Sequence, residues 1–234
     1  MLYLIGLGLD DGEITQKGLE ALENVDKAFV EFYTNTETVN IESLEQKTGT
    51  QIEKLSRDEV ERNDKIIESA EKQDTAFLVS GDPLTATTHY DIKHRAEQNQ
   101  IETKVVHGPS IFLSIAETGL SVYKFGRTVT LPKDMTPESI TDHIQKNDSI
   151  GLHSLVLLDI DYNADEAAEK LINIDGDLED REAVVLERAN DETQKVSVMK
   201  LGEIAGSELG ETPHCIIIIG DTSHKEKEFL EAYR

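Results

Sequence analysis

Gly81-Asp82-Pro83-Leu84-Thr85-Ala86-Thr87-Thr88-His89 is the stretch richest in groups that can hold a ligand. Gly81 permits a positive φ, Pro83 stiffens the turn, and Asp82 offers a carboxylate to a hydroxyl or a cation. Thr85, Thr87 and Thr88 add hydroxyls at the mouth of the next helix, whose first N–H groups lack intrahelical partners. The stretch follows the apolar run Thr75 to Ser80, a predicted strand. In an open α/β sheet, ligands collect beyond the carboxyl ends of the strands. A capped turn, with Thr87 or Thr88 as the N-cap, accounts for the same residues without any ligand.

Four further stretches bear on chemistry. Ile5-Gly6-Leu7-Gly8-Leu9-Asp10-Asp11-Gly12 is a strand feeding a glycine turn. Asp11 stands where a dinucleotide fingerprint needs its third glycine, and no acidic residue completes the pattern on a defined second strand, so NAD is disfavoured. His107-Gly108-Pro109-Ser110-Ile111 is a strand-end loop entering a helix; Ser110 makes a good N-cap and is aimed at the same edge as Asp82. In Leu157-Leu158-Asp159-Ile160-Asp161 the two aspartates lack further ligands at a sensible spacing, so no metal is expected. In Pro213-His214-Cys215 a loop enters the last apolar strand, and His214 reads equally as a backbone contact to a ligand or a satisfied structural residue. Gly-x-Ser-x-Gly, His-Glu-x-x-His and the P-loop are absent, which leaves no site for hydrolytic chemistry. His89 and His94 lie five apart and do not share a helix face as an i, i+4 metal pair would.

The elements that must position these residues fall into two groups. In the first half, strands at Leu2–Leu7, Ala28–Tyr33, Gln51–Leu55, Thr75–Ser80 and Thr103–Val106 alternate with helices. Those helices are Thr15 to Asn24, Ile41 to Lys47, Asp64 to Gln73, Thr87 to Asn99 and Ser110 to Gly119. Such alternation predicts a parallel α/β sheet. In the second half, strands at Thr128–Leu131, Ser154–Ile160, Ala183–Glu187, Val196–Leu201 and Cys215–Ile219 outnumber helices at Pro137–Gln145, Ala164–Ile172 and Lys225–Tyr233. That ratio predicts a mixed sheet with antiparallel pairs. The expected fold is therefore a two-lobed α/β protein: an N-terminal, mostly parallel domain over 1–112 and a C-terminal mixed domain over 113–234.

Bulk composition narrows the function. Aromatic residues make up only 5% and Trp is absent, yet apolar runs suffice for buried sheets. No stretch approaches the about 20 apolar residues of a membrane helix, and Met1 to Gly6 reads as a strand and not a signal peptide. The single cysteine, Cys215, lies in an apolar run as an inert thiol, in keeping with a cytoplasmic protein. Lys and Arg total 23 against 47 Asp and Glu, a net charge of −24 that repels nucleic acid phosphates. The dispersed acidity reads as a solvated surface suited to high salt, where screening removes self-repulsion.

Taken together, Ile5 to Leu9, Ala28-Phe29-Val30-Glu31-Phe32-Tyr33-Thr34, Gly81 to His89, Pro109-Ser110-Ile111, Tyr123-Lys124-Phe125-Gly126, Leu157 to Ile160 and Pro213-His214 resemble the diphthine synthases. These belong to the tetrapyrrole-methylase-like S-adenosylmethionine-dependent methyltransferases. The resemblance implies a homodimer with S-adenosylmethionine between the lobes. It implies methylation of the amino group on a 3-amino-3-carboxypropyl-histidine of translation elongation factor 2. Archaeal-type members add three methyl groups to give diphthine, and eukaryotic relatives also esterify the carboxylate. Carried over residue by residue, the cofactor contacts are Leu9, Asp82, Thr85, Ser110, Ile111, Leu158, Ala189 and His214, many of them through the backbone. The chain departs from the pattern in a shorter segment after Thr130 and in Asn190 after Ala189. Neither the motifs nor the resemblance names a general base; an acidic lining, or an aromatic such as Phe32 or Tyr33, can face the growing cationic head, though core packing is the better reading of those two. A corrin or porphyrin methyltransferase of the same fold and a non-catalytic binding module are the alternatives. The Ala86-Thr87-Thr88-His89 tail counts against the first, and Gly81, Asp82 and Ser110 count against the second.

Overall fold

Two sheets organise the chain, and each carries its own core. The computed structural model describes residues 1–31, 39–135, 137 and 139–234 and divides into two units, Met1–Leu113 and Ser114–Arg234. The first unit contains β1 (Leu2–Gly6), α1 (Gln16–Glu23), β2 (Lys27–Glu31), α2 (Ile41–Thr48), β3 (Ile52–Leu55), α3 (Arg57–Glu61), α4 (Lys65–Ala70), β4 (Thr75–Val79), α5 (Tyr90–Gln98) and β5 (Thr103–Val106). Helix α6 (Ile111–Ser114) runs into the second unit.

The strand order of the first sheet is β3-β2-β4-β1-β5, and every pair is parallel. Parallel sheets bury both faces, and side chains alternate between them. Leu2, Leu4, Phe77 and Val79 pack with Val60, Ile66, Ile67, Ile92 and Ala96 on one side. Ile5, Ala28, Val30, Ala76 and Leu78 pack with Leu22, Ile41 and Leu44 on the other. The connection from β1 to β2 passes β4, and that from β4 to β5 passes β1, in opposite directions and on opposite faces. Such a reversal in an open sheet places ligand-binding loops at the strands' carboxyl ends. Local chemistry sets the helix ends. Thr15 accepts from Gly18 N at 3.1 Å to start α1, Asn40 accepts from Ser43 N to start α2, and Gly49 in the left-handed region ends it.

The second unit holds β6 (Val129–Leu131), α7 (Ser139–Asp148), β7 (Ser154–Leu158), α8 (Ala164–Ile174), β8 (Glu182–Glu187), β9 (Lys195–Lys200), α9 (Leu201–Ile204), β10 (His214–Ile218) and α10 (His224–Leu230). Its order is β6-β7-β10-β8-β9, parallel only between β6 and β7. Ile140, Ile144, Ala164, Ala168, Leu171 and Ile204 pack on one face against Val156, Ile216 and Ile218.

The architecture is the one expected from the sequence, with local differences. The helix after Gly81-Asp82-Pro83 begins at Tyr90 and not at Thr87, because Ala86 turns through a positive φ of 57° and the chain stays irregular to His89. Thr87 and Thr88 are therefore loop residues and not N-caps; Thr87 Oγ1 accepts instead from His89 N at 3.3 Å. The helix expected from Asp64 to Gln73 is confined to α4, and α3 precedes it as a separate turn with its own Ser56–Glu59 capping box. The last two residues of the strand expected to reach Tyr33, Phe32 and Tyr33 themselves, lie outside the described residues.

Candidate active site

Loops leaving β1, β4 and β5 meet at one edge of the first sheet through close backbone contacts, and the last two also through a side-chain pair. Gly8 N donates to Gly81 O at 3.2 Å, and Gly81 N donates to Gly8 O at 2.6 Å. A Cβ on Gly6 would stand 2.5 Å from Gly81 O and 2.7 Å from Gly108 N, and one on Gly108 would stand 2.7 Å from Gly81 O. No side chain fits at Gly6 or Gly108 without parting the loops. A methyl built on Gly81 would meet Leu9 Cδ2 at 3.5 Å and Ser110 Cβ at 4.0 Å. The structure thus gathers Leu9, Gly81 and Ser110, with Ile111 following as the first residue of α6.

Asp82 lies beneath these loops with 6% of its surface exposed. Its Oδ1 accepts from Leu84 N at 3.0 Å and Thr85 Oγ1 at 2.9 Å. Its Oδ2 lies 2.6 Å from His107 Nδ1. Burial alone would raise the Asp82 carboxyl, but the bonds from Leu84, His107 and Thr85 together hold it below the usual carboxylate range. Asp82 is therefore an anion at neutral pH, and His107 Nδ1 is the donor. Leu9 N is spoken for, donating to Glu13 Oε2 at 2.6 Å, which leaves its side chain and carbonyl as the groups able to meet a ligand.

The residues assigned in the second unit sit together at one edge of its sheet. Leu158 ends β7, His214 opens β10 and Ala189 follows β8. Cys215 pairs with Leu157, so the register continues to place Leu158 opposite His214, and His214 pairs with Glu187. Ala189 lies between Arg188 and Asn190, both at positive φ, and Arg188 N donates to Pro213 O at 2.8 Å. The His214 ring is fully buried: Nδ1 accepts from Ala164 N at 3.2 Å, and Nε2 donates to Glu211 O at 3.0 Å. Burial pushes its pKa down, so the ring is neutral. Of the two readings open for His214, its side chain takes the structural one, capping the start of α8.

Sequence reasoning passed over His107 as a side chain. Its only signal was a place in the His-Gly-Pro-Ser loop; its partner is 25 residues away, across an intervening strand. It also passed over the buried pair Glu31–His89, 3.4 Å apart, with the His89 ring edge-on to Phe77.

Residues 1–205 match the family described as Tetrapyrrole (Corrin/Porphyrin) Methylases. The chain is 37% identical to a diphthine synthase of Methanocaldococcus jannaschii, over 99% of this chain and 98% of that protein. It is 35% identical to a diphthine methyl ester synthase of Schizosaccharomyces pombe, over 100% of this chain and 94% of that protein. A crystal structure of diphthine synthase superposes with a TM-score of 0.93 at 33% identity, covering 99% of this chain and 95% of the other. The chain belongs to the tetrapyrrole methylase family: it is an enzyme, and its class is methyltransferase. Within that family it is a member of the diphthine synthases, which it matches from end to end.

Proposed function

We propose that this methyltransferase uses S-adenosylmethionine to place three methyl groups on the amino nitrogen of the 3-amino-3-carboxypropyl-histidine of translation elongation factor 2, completing diphthine in diphthamide biosynthesis. The relatives' names support the reaction class. The observation that carries the cofactor assignment is the assembly of Leu9, Asp82, Thr85 and Ser110 at the strand-end edge. Its chemistry fits S-adenosylmethionine: an anionic, buried carboxylate for a hydroxyl or cationic group, an apolar side chain, and a backbone too close for any intervening Cβ. When bound, S-adenosylmethionine supplies an electrophilic methyl group on a sulfonium.

Asp82 and Thr85 hold one another and so enter binding already oriented, which lowers the ordering cost. Leu158, Ala189 and His214 are proposed as further cofactor contacts made through their backbones, since the His214 ring is fully engaged. A homodimer at work in the cytoplasm, implied by the resemblance to the diphthine synthases, is part of the same proposal; among the described residues no helix is long and apolar enough to cross a membrane.

Calorimetric titration in high salt with S-adenosylmethionine and its demethylated product, on wild type and Asp82→Ala, tests the reading. Micromolar binding that Asp82→Ala weakens about tenfold or more is expected, since hydrogen bonds to charged groups contribute about 1.5–3 kcal/mol. Mass spectrometry of modified elongation factor 2 should then show the mass of three methyl groups. Absence of binding to either ligand by folded protein overturns the proposal.

A further inference from the structure

Asp82 and His107 form a pair with one end buried and the other open. The Asp82 side chain is 7% exposed and the His107 side chain 70% exposed. Oδ2 of the carboxylate fixes Nδ1 at 2.6 Å, and among the described residues no hydrogen bond engages Nε2. A carboxylate acceptor demands the Nδ1–H tautomer, which leaves the Nε2 lone pair of the neutral ring directed away from Asp82. A buried carboxylate that sets the tautomer of an imidazole whose far nitrogen is open is the construction of an oriented general base. It stands among the residues assigned to the cofactor: Asp82 is bonded to Thr85, and Ser110 follows His107 by three residues.

The chemistry proposed for the site needs such a group. An α-amino nitrogen, with a pKa of about 8, is mostly protonated at neutral pH and has no lone pair to attack with. We infer that His107 Nε2 is the proton acceptor for the substrate amine, with Asp82 as its positioning residue; this rests on the N-methyltransferase reading. One ammonium N–H bond breaks and its electron pair stays on nitrogen, while the proton forms a bond to Nε2. The resulting imidazolium is stabilised by the Asp82 carboxylate and passes its proton to water, which reaches the exposed ring. The monomethylated and dimethylated products are again protonated and are served in the same way. The trimethylammonium has no N–H, so the base is idle after the third transfer.

Nitrogen-15 NMR of the ligand-free protein gives a readout independent of turnover: the neutral His107 ring should be the Nδ1–H tautomer, and an Nε2–H tautomer overturns the assignment. His107→Asn keeps a donor for Asp82 but no basic nitrogen, and His107→Ala removes both. Both variants should melt and bind S-adenosylmethionine nearly as wild type does, yet lose about 10²–10⁴-fold in kcat, the span typical of a lost general base. Added imidazole should restore part of the rate to His107→Ala. Retention of kcat within about threefold by both folded variants shows that the pair only joins two loops and overturns the inference. Failure of wild type to bind S-adenosylmethionine instead removes the methyltransferase reading and the inference with it.

Discussion

Asp82–His107 in the first unit and Glu226–His153 in the second are built from the same parts, with N···O distances of 2.6 and 3.2 Å. Their surroundings differ. His153 is fully buried, Nδ1 accepts from Gly220 N at 3.0 Å, Nε2 faces Glu226, and the Phe125 ring meets it edge-on. Glu226 also accepts from Lys124 Nζ at 2.8 Å, Ser223 N at 2.7 Å and Ser121 N at 3.0 Å. Burial would raise the Glu226 carboxyl, but these donors hold it far below the usual carboxylate range, and burial pushes His153 down. Every polar atom of that histidine is consumed in joining segments distant in sequence, whereas His107 spends one nitrogen on Asp82 and keeps the other at the surface. A histidine–carboxylate pair by itself therefore indicates nothing; the state of the second ring nitrogen separates a fastener from a reagent.

The comparison is tested most severely by Glu226→Ala. It removes one partner from each of Lys124 and His153 and the acceptor of two backbone donors, and should cost about 3–5 kcal/mol in urea unfolding, as loss of one member of a buried pair does. Asp82→Ala should cost about 1–2 kcal/mol, its partner His107 being open to water; equal losses would erase the distinction. An effect of similar size is expected of Gly108→Ala. The new Cβ meets backbone at 2.7 Å, so about 1–3 kcal/mol should be lost, together with S-adenosylmethionine binding. Gly176→Ala in the second unit, where nothing lies within 4 Å of the added methyl, should change stability by less than about 0.5 kcal/mol. Thermal melts and ligand calorimetry on the two glycine-to-alanine variants sharpen the contrast between a tight loop contact and an ordinary turn.

Acid tests the same groups without substitution. His153 and His214 have folded pKa values lowered by burial, so the unfolded chain binds their protons more readily. Stability should be full above the unfolded value of about 6.5 and decline as pH falls toward the folded values. Below about pH 4 the depressed carboxyls of Glu226 and Asp82 add a second loss, as pH falls through their folded values. Melting temperatures at pH 7.5, 5.5 and 3.5 measure both phases, and a flat profile down to 5.5 would mean that the buried rings accept protons as freely as exposed ones.

The strands of the first unit were readable because each strand of a parallel sheet is covered on both sides. Thr75-Ala76-Phe77-Leu78-Val79 is a continuous buried run, and its end marks the loop that carries Asp82. Both members of the Thr85–Asp82 bond were singled out in the sequence, though the bond between them was not drawn; three residues apart, it follows from turn chemistry. Links set by strand order were not readable. Asp82 and His107 meet because β4 and β5 flank β1, and no local pattern encodes that order. Glu226 looks like a solvated helix position in His-Lys-Glu-Lys-Glu, yet it is 3% exposed, since Lys124 and His153 arrive from elsewhere in the chain. Helices α3 and α9, five and four residues long, are too short to show a period. The start of α5 was misplaced because threonines that resemble caps also suit an irregular turn, and Ala86 at positive φ decides between them.

The contact among Gly6, Gly81 and Gly108 divides the site into parts that a designer can edit and parts that cannot be touched. Three loops share one seam of bare backbone: a side chain gained on Gly6 or Gly108 displaces its neighbours, and one gained on Gly81 is strained by that residue's positive φ of 70°. If the proposed cofactor contacts hold, widening the enzyme to accept other methyl donors or bulkier amines proceeds by exchanging the half-buried side chains of Leu9, Thr85 and Ile111, which belong to these loops or to the helix that follows them. A randomised library built on those positions explores new pockets on an unchanged frame, whereas one that includes the glycines samples mainly misassembled loops.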